Sequence, residues 1–344
     1  MKVTEQKGTR ELPYHQAMAG LSHPHLVKCL SSFTFASQYH MIYEKADRNL
    51  EEFMARHRNA SDLQSLGPQD LAQQLAGIVG AVLVIHTQTS PNDNTNLLPG
   101  SQHGIQKSGY LHDIKPDNLL IFRYHKQDKE SYTFRLSDFS CARVVAFIES
   151  VSGQHRRSWQ STGKSGTPIY RAPELTTEGK TSRPYDIWSL GCVLLEVLVW
   201  FTEGYRALEA FRESRFRAVK PNGIEDEGFY YLKEPGPNAR AYLREQVAER
   251  LEAMPSQCEG SLRTIAEAIP QMLEIEPAER PTAEQLVKRL KSVGQASQPP
   301  TLLTSTITSN LPPIKASFPS SPTYYSESDS DFGPMVNIQR PTDE

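Results

Sequence analysis

The sequence predicts an α+β fold, with a small β-rich front followed by a larger, mainly helical body. Three observations predict it. Apolar and aromatic residues alternate from Leu26 to Tyr43, helical apolar spacing recurs from Leu71 to Val293, and short extended segments flank Asn118 and end at Asp138. Alternation with period 2 marks half-buried strands, and spacing near 3.6 marks helices with one buried face.

In order along the chain, Leu26 to Phe35 and Tyr39 to Tyr43 read as a hairpin broken at Ala36-Ser37-Gln38, because β-branched and aromatic runs flank a small polar break. Leu50 to Arg58 has helical spacing, and Pro68-Gln69-Asp70 is a start signal for a long helix, Leu71 to His86. Ser90 to Ser108 is polar and rich in Asn, Gly and Pro, so an inserted loop is expected. Val144 to Ser165 is polar and basic, without a clear period. Helices are expected at Asp186 to Trp200, roughly Ala239 to Ala253, Ser261 to Leu273 and Thr282 to Val293. From Gln295 onward Ser, Thr and Pro dominate and periodicity disappears. Such a segment buries too little surface to offset its ordering entropy, so residues 295–344 are expected to be disordered. No internal repeat is present.

Charge is nearly balanced over the 344 residues, 37 basic against 40 acidic, for a formal net charge of −3. That argues against nucleic-acid binding by bulk basicity. Four scattered cysteines, Cys29, Cys141, Cys192 and Cys258, have neither metal-ligand spacing nor the density of a disulfide framework, which suits a reducing compartment. Met1 to Arg10 has no apolar core and does not read as a signal peptide. Leu190 to Phe201, interrupted by Glu196, is too short to span a bilayer and reads as a buried helix. The expectation is an intracellular protein, cytoplasmic or nuclear, with no membrane and no nucleic-acid partner.

The segment richest in chemistry is Leu111-His112-Asp113-Ile114-Lys115-Pro116-Asp117-Asn118-Leu119-Leu120. Phosphoryl transfer needs a carboxylate to orient the attacking hydroxyl, a cation beside the transferring group and an oxygen ligand for Mg²⁺. Asp113, Lys115 and Asn118 supply these residue types at the required spacing, Asn five residues after Asp. The stretch resembles the catalytic loop of eukaryotic protein kinases, and a lysine two residues after the aspartate resembles the serine/threonine branch. Leu111-His112 stands where the family usually has His-Arg. That arginine normally meets a phosphate on the activation segment, so switching by that route is not expected here.

Further segments extend the resemblance from about His23 to Leu290. Asp138-Phe139-Ser140 resembles the family's Mg²⁺-binding triplet with Ser for Gly, which implies Asn118 and Asp138 as the metal ligands. Asp331-Phe332-Gly333 matches the triplet literally but has no preceding strand and lies far beyond the catalytic loop, so it is set aside. Gly166-Thr167-Pro168-Ile169-Tyr170-Arg171-Ala172-Pro173-Glu174 resembles the end of the activation segment. The resemblance implies that Thr167 bonds Asp113 and Lys115, and that Glu174 is buried against Arg280. Tyr185-Asp186-Ile187-Trp188-Ser189-Leu190-Gly191-Cys192 resembles the start of the central helix, implying that Asp186 accepts catalytic-loop amides. Tyr39 to Met54 resembles the last N-lobe strand, hinge and following helix. This puts Tyr43 at the gatekeeper position, the backbone of Glu44 and Ala46 against adenine, and Leu120 beneath it. His23-Pro24-His25-Leu26-Val27 matches the turn after the regulatory helix. The overall pattern is most similar to kinases of filamentous fungi.

The front of the family pattern is missing. Gly8 and Gly20 are isolated, so no glycine-rich phosphate loop precedes His23. Lys2, within Met1-Lys2-Val3, is either the phosphate-binding strand lysine or a solubilising N-terminal residue. The regulatory-helix glutamate position holds Tyr14, with Glu11 one turn earlier. The resulting expectation is a kinase-like fold with a partial N-lobe at 1–46, a C-lobe at 47–294 containing the activation segment 138–174, and the tail. The function implied is a serine/threonine protein kinase using ATP and Mg²⁺ on a protein substrate. Its sequence would start at an internal methionine, and phosphotransfer would be weak or absent. A pseudokinase acting as a binding scaffold and a degraded fragment are the other readings. The chain is expected to be monomeric, or to have a partner covering its incomplete N-lobe.

Overall fold

The computed structural model describes residues 2–5, 21–35, 38–63, 65–87, 105–126, 129–138, 143–148, 168–179, 182–216, 228–233 and 240–295. All belong to one compact unit, Met1–Gln298. The tail expected to be disordered lies outside the described residues apart from Gln295.

The N-terminal part is a three-stranded antiparallel sheet in the order β1-β3-β2, formed by β1 (Lys2–Glu5), β2 (Cys29–Phe35) and β3 (Gln38–Tyr43). The hairpin is present, and β1 adds to its free edge with Lys2 opposite Met41. Met41 and His40 are buried in this sheet, whereas Leu30, Phe33 and Phe35 are exposed. The turn 23–27 leaves the sheet and bonds to the body: Val27 N–H donates to Leu136 O at 2.9 Å, and Leu136 N–H to His25 O at 2.9 Å.

The chain then crosses into the body through β4 (Arg48–Asn49) and α1 (Leu50–Arg56). Asn49 starts α1 because its side chain accepts the Glu52 N–H while Glu52 reaches back to the Asn49 N–H, satisfying two otherwise orphaned donors. α2 (Pro68–Thr87) buries Leu71, Leu75, Ile78, Val82 and Ile85 along one face. Glycines on α2 admit the 23–27 turn. A Cβ on Gly77 would lie 2.1 Å from His25 Nε2, and one on Gly80 would lie 3.1 Å from His23 Nε2.

A three-stranded sheet follows, in the order β4-β6-β7, with β6 (Leu119–Lys126) and β7 (Lys129–Leu136) paired residue by residue from Leu119↔Leu136 to Lys126↔Lys129. Two strands correct the sequence reading. β5 (Ile105–Tyr110) occupies the end of the expected inserted loop, and β8 (Arg143–Ile148) lies in the stretch read as lacking a period. They pair with each other from Ile105↔Ile148 to Tyr110↔Arg143. Neither has a sustained alternation of its own, and the ladder between distant segments supplies what local pattern does not.

The helical body is centred on α4 (Arg183–Glu203), whose residues from Tyr185 to Trp200 are all buried. α2 and α4 are both long and apolar enough to cross a membrane, but 89% of the most apolar window of α4 lies inside the protein, so it is a core helix. Gly204, at φ 90°, turns the chain directly into α5 (Tyr205–Arg215), which the sequence reading missed. A Cβ there would sit 2.9 Å from Arg58 O, and the left-handed φ also favours glycine. β9 (Tyr230–Leu232) and β10 (Ala241–Leu243) form a short ribbon, so the helix expected from Ala239 starts only at Glu245, as α6 (Glu245–Gln257). α7 (Gly260–Met272) follows. The expected last helix is divided at Leu290 into α8 (Ala283–Arg289) and α9 (Lys291–Gln295). α8 opens on a capping box between Thr282 and Gln285.

Candidate active site

The site forms where β5 ends, between α2, the β6–β7 pair and the N-terminal end of α4. The loop 111–118 closes with a single 3-10 turn, Pro116–Asn118, led by Pro116. Asn118 is buried, and its amide nitrogen donates to Asp113 O at 2.8 Å and to Asp113 Oδ2 at 3.0 Å. Lys115 Nζ reaches the same Asp113 Oδ2 at 3.1 Å. One carboxylate oxygen is therefore held by an ammonium and an amide, which orients the group about its Cβ–Cγ bond.

Asp138 follows directly from β7. Ser137, its neighbour, donates to Asn118 O from both its N–H (2.9 Å) and its Oγ (2.8 Å). The strand that delivers Asp138 is thereby stitched to the loop that delivers Asp113. Asp138 and His112 both have left-handed backbone, φ 55° and 68°. They are the non-glycine residues with positive φ among those described, one on each side of the site. Such geometry costs of order 1–3 kcal/mol per residue, so the surroundings must enforce it.

The surroundings that enforce it centre on Asp186, which is fully buried. It accepts Leu111 N–H at 2.8 Å and His112 N–H at 2.9 Å, and His86 Nε2–H at 2.9 Å. The His112 ring packs between Tyr110 (4.6 Å) and Tyr185 (5.4 Å). Burial drives the Tyr185 phenol above its ordinary range; nearby Arg171 opposes this, while Asp186, Glu174 and Asp113 add to it.

Glu174 lies at the start of α3 (Pro173–Thr177) and is buried. Arg280 grips it with Nη1–Oε1 and Nη2–Oε2 bonds of 2.8 Å each. The remaining Arg280 donors go to Glu274 O (2.7 Å), Pro184 O (3.0 Å) and Ile275 O (3.0 Å). At the other boundary, the exposed Glu44 carboxylate pairs with Arg135 at 2.7 Å and accepts Tyr124 Oη–H at 3.3 Å. Ala46 is half-buried, and Asp47 N–H then donates to Ile121 O at 2.9 Å. Leu120 stands opposite Asn49 in the β4–β6 ladder, beneath this crossing.

A model of the protein kinase domain matches residues 103–290, more than half of the chain. The chain belongs to the protein kinase family. Its curated relatives are protein kinases, a serine/threonine-protein kinase among them. The kinase is 24% identical over 310 residues to the meiosis induction protein kinase IME2/SME1 of Saccharomyces cerevisiae, covering 82% of this chain and 43% of the relative. It is 28% identical over 203 residues to the serine/threonine-protein kinase fused of Drosophila melanogaster, covering 57% and 20%. It is 31% identical over 151 residues to the sporulation protein kinase mde3 of Schizosaccharomyces pombe, covering 43% and 25%. The kinase thus spans less than half the length of each of these relatives. It is a serine/threonine protein kinase by family, and fungal proteins are among its relatives.

Within the kinase, Asp113, Lys115 and Asn118 are in direct contact, and Glu174 with Arg280 forms a second closed unit. Lys2 enters the N-terminal sheet opposite Met41, two residues before Tyr43, but its side chain falls outside the described part of the structure. Thr167, Phe139, Ser140, Glu11 and Tyr14 also lie outside the described residues. Sequence reasoning missed His86, which ended an expected helix without a role. It also missed Glu196, read only as an interruption, and its partners Arg212 and Arg215. A buried charge inside an apolar run was the one available signal.

Proposed function

We propose that this kinase transfers the γ-phosphoryl group of ATP to serine or threonine hydroxyls of a protein. The observation that carries the reading is the joining of Asp113, Lys115 and Asn118 through one carboxylate oxygen, with the strand bearing Asp138 stitched to Asn118. Asp113 orients the acceptor hydroxyl and takes its proton. Lys115 lies beside the transferring group and offsets its negative charge. Thr167 is assigned to the same cluster, bonding Asp113 and Lys115. Asp186, with His86 behind it, keeps the loop amides fixed while charge moves, so the site needs little reorganisation.

The residues fit Mg²⁺. Asn118 turns its amide nitrogen to Asp113, which leaves the amide oxygen as the donor for a cation, and Asp138 adds a carboxylate. One or two such oxygens completed by substrate phosphates are what Mg²⁺ prefers. When bound, the metal neutralises phosphate charge. Adenine is assigned to the backbone of Glu44 and Ala46, with Leu120 as an apolar floor and Lys2 directed to the phosphates. The domain plan is an N-lobe over 1–46, a C-lobe over 47–294 with the activation segment at 138–174, and a tail from 295. The exposed Leu30, Phe33 and Phe35 support a partner against the N-lobe of an otherwise monomeric chain.

The test is a pair of measurements on the full chain. MgATP is expected to raise the melting temperature only slightly, in line with weak phosphotransfer, and Asp138→Ala to abolish that small shift. Phosphate incorporation into dephosphorylated casein is expected to fall about 10²–10⁴-fold in Asp113→Asn, the usual size of a general-base contribution. A pseudokinase scaffold is the second reading, favoured by Ser140 in place of glycine. Nucleotide binding with no incorporation above the Asp113→Asn level would select it.

A further inference from the structure

A second charged cluster lies behind the turn Pro168–Tyr170 and takes no part in the reading above. Glu196, mid-way along α4, is completely buried. Its carboxylate receives Arg215 Nη2 at 2.5 Å, Arg212 Nη2 at 2.7 Å, Arg212 Nε at 3.2 Å and Tyr170 Oη–H at 3.0 Å. Arg212 then continues outward and grips Glu51 of α1 through Nη1–Oε1 and Nη2–Oε2, both at 2.7 Å. The nearby cations hold the Glu196 carboxyl below its ordinary range despite burial.

The two arginines differ in kind. Arg215 is buried between Phe211 (4.6 Å) and Phe229 (4.0 Å), and its Nε and Nη1 have no hydrogen-bond partner among the described residues. It packs α5 onto the core and fixes Glu196 from behind. Arg212 is 25% exposed, and among the described residues no aromatic pair seats it; its bonds run to two carboxylates on two different helices. Burying charges costs several kcal/mol each, and apolar residues of similar size would often serve stability as well. A bridge of this kind is better suited to selecting one relative arrangement of the elements it joins.

The first of these elements, α1, packs against the turn Pro116–Asn118 of the proposed site. Glu51 lies just past the Asn49 cap, in the helix that follows the hinge segment 44–46. Tyr170 belongs to the turn Pro168–Tyr170, immediately before Arg171 and the Glu174 anchor. Tyr170 is held on α4 at two points, its main-chain oxygen by Ser189 Oγ–H at 2.8 Å and its hydroxyl by Glu196. We propose that Arg212 is a positioning residue that ties the post-hinge helix to the acceptor-side turn Pro168–Tyr170 through Glu196. The proposal rests on the kinase reading for its effect on catalysis, but not for its effect on structure.

The experiment compares wild type with Arg212→Gln, Arg212→Lys, Glu51→Gln and Tyr170→Phe in the full chain. In Arg212→Gln, amide exchange across 168–178 is expected to rise about tenfold, since local opening is governed by such anchoring contacts. With casein as acceptor, its KM is expected to rise about fivefold or more while the KM for ATP stays within about twofold, a split that general destabilisation does not produce. Arg212→Lys should recover part of both effects. Tyr170→Phe added to Arg212→Gln should change exchange little further, because both act through Glu196. Exchange across 168–178 unchanged in Arg212→Gln, or equal rises in both KM values, would overturn the proposal. If Arg212→Gln does not fold, Glu51→Gln decides: it must loosen 168–178 in the same direction. A wild type with no phosphotransfer would sink the kinase reading alone and leave the exchange measurement to judge Arg212.

Discussion

Replacing Arg280 by methionine removes a buried side chain whose donors are all in use. A guanidinium has five N–H donors, and here two meet the Glu174 carboxylate while three meet Glu274 O, Ile275 O and Pro184 O. The group also lies 5.1 Å over the Trp188 ring. Methionine fills much of the volume but leaves a buried carboxylate without its counter-charge, a loss of about 3–5 kcal/mol. For a domain of this size that lowers the melting temperature by roughly 6–20 °C. Lysine keeps the charge but offers three donors in place of a fork, so Arg280→Lys is expected to cost about 2–4 kcal/mol. The double variant Glu174→Met with Arg280→Met removes both charges together. It should recover most of the ionic loss, leaving the three carbonyls to find water. Urea unfolding of the four proteins gives the cycle directly. A single Arg280→Met variant within about 1 kcal/mol of wild type would refute the reasoning, because it would mean that the Glu174 carboxylate is solvated in the native state.

Three other outcomes are expected. Asp186→Asn removes one acceptor oxygen from a carboxylate that serves Leu111 N–H, His112 N–H and His86; a loss of about 2–4 kcal/mol by urea unfolding is expected from the buried donor left unmet. Gly77→Ala forces a Cβ to within 2.1 Å of His25 Nε2, and overpacking of this kind costs about 1–3 kcal/mol; a crystal structure should show the His25 ring displaced and its 2.8 Å bond to Phe134 O broken. His23 accepts His25 N–H on Nδ1, and burial and the neighbouring His25 lower its pKa from 6.5 to about 4. The unfolded chain therefore takes up this proton first, so stability is expected to fall as pH drops from 6.5 toward about 4 and the loss to level off below that. His23→Gln should shallow that decline in urea midpoints measured between pH 7 and pH 4.5; an unchanged slope would exclude His23 as a source.

Local order was largely legible where one element carries its own signal. The α2 start at Pro68, the Asn49-Glu52 and Thr282-Gln285 caps, and the β2–β3 break are encoded within a few residues. The β5–β8 ladder was not legible, because Ile105–Tyr110 lacks alternation and Arg143–Ile148 is followed by a long polar stretch that hides its apolar run. α5 was missed because its polar face outweighs Leu208 and Phe211, its few buried apolar residues. At the site, Asp113, Lys115 and Asn118 are close in sequence, so their spacing alone brings them near one another.

By itself the sequence determined which groups can do chemistry, because side-chain type and short-range spacing travel with the chain. It determined the strand and helix character of most segments for the same reason. The tertiary structure decided who meets whom across large separations. His86 finds Asp186 100 residues later, and Glu51 finds Arg212 161 residues later. Neither pairing has a local signature, because a buried charge takes whichever partner packing delivers, and packing is settled by the whole core at once.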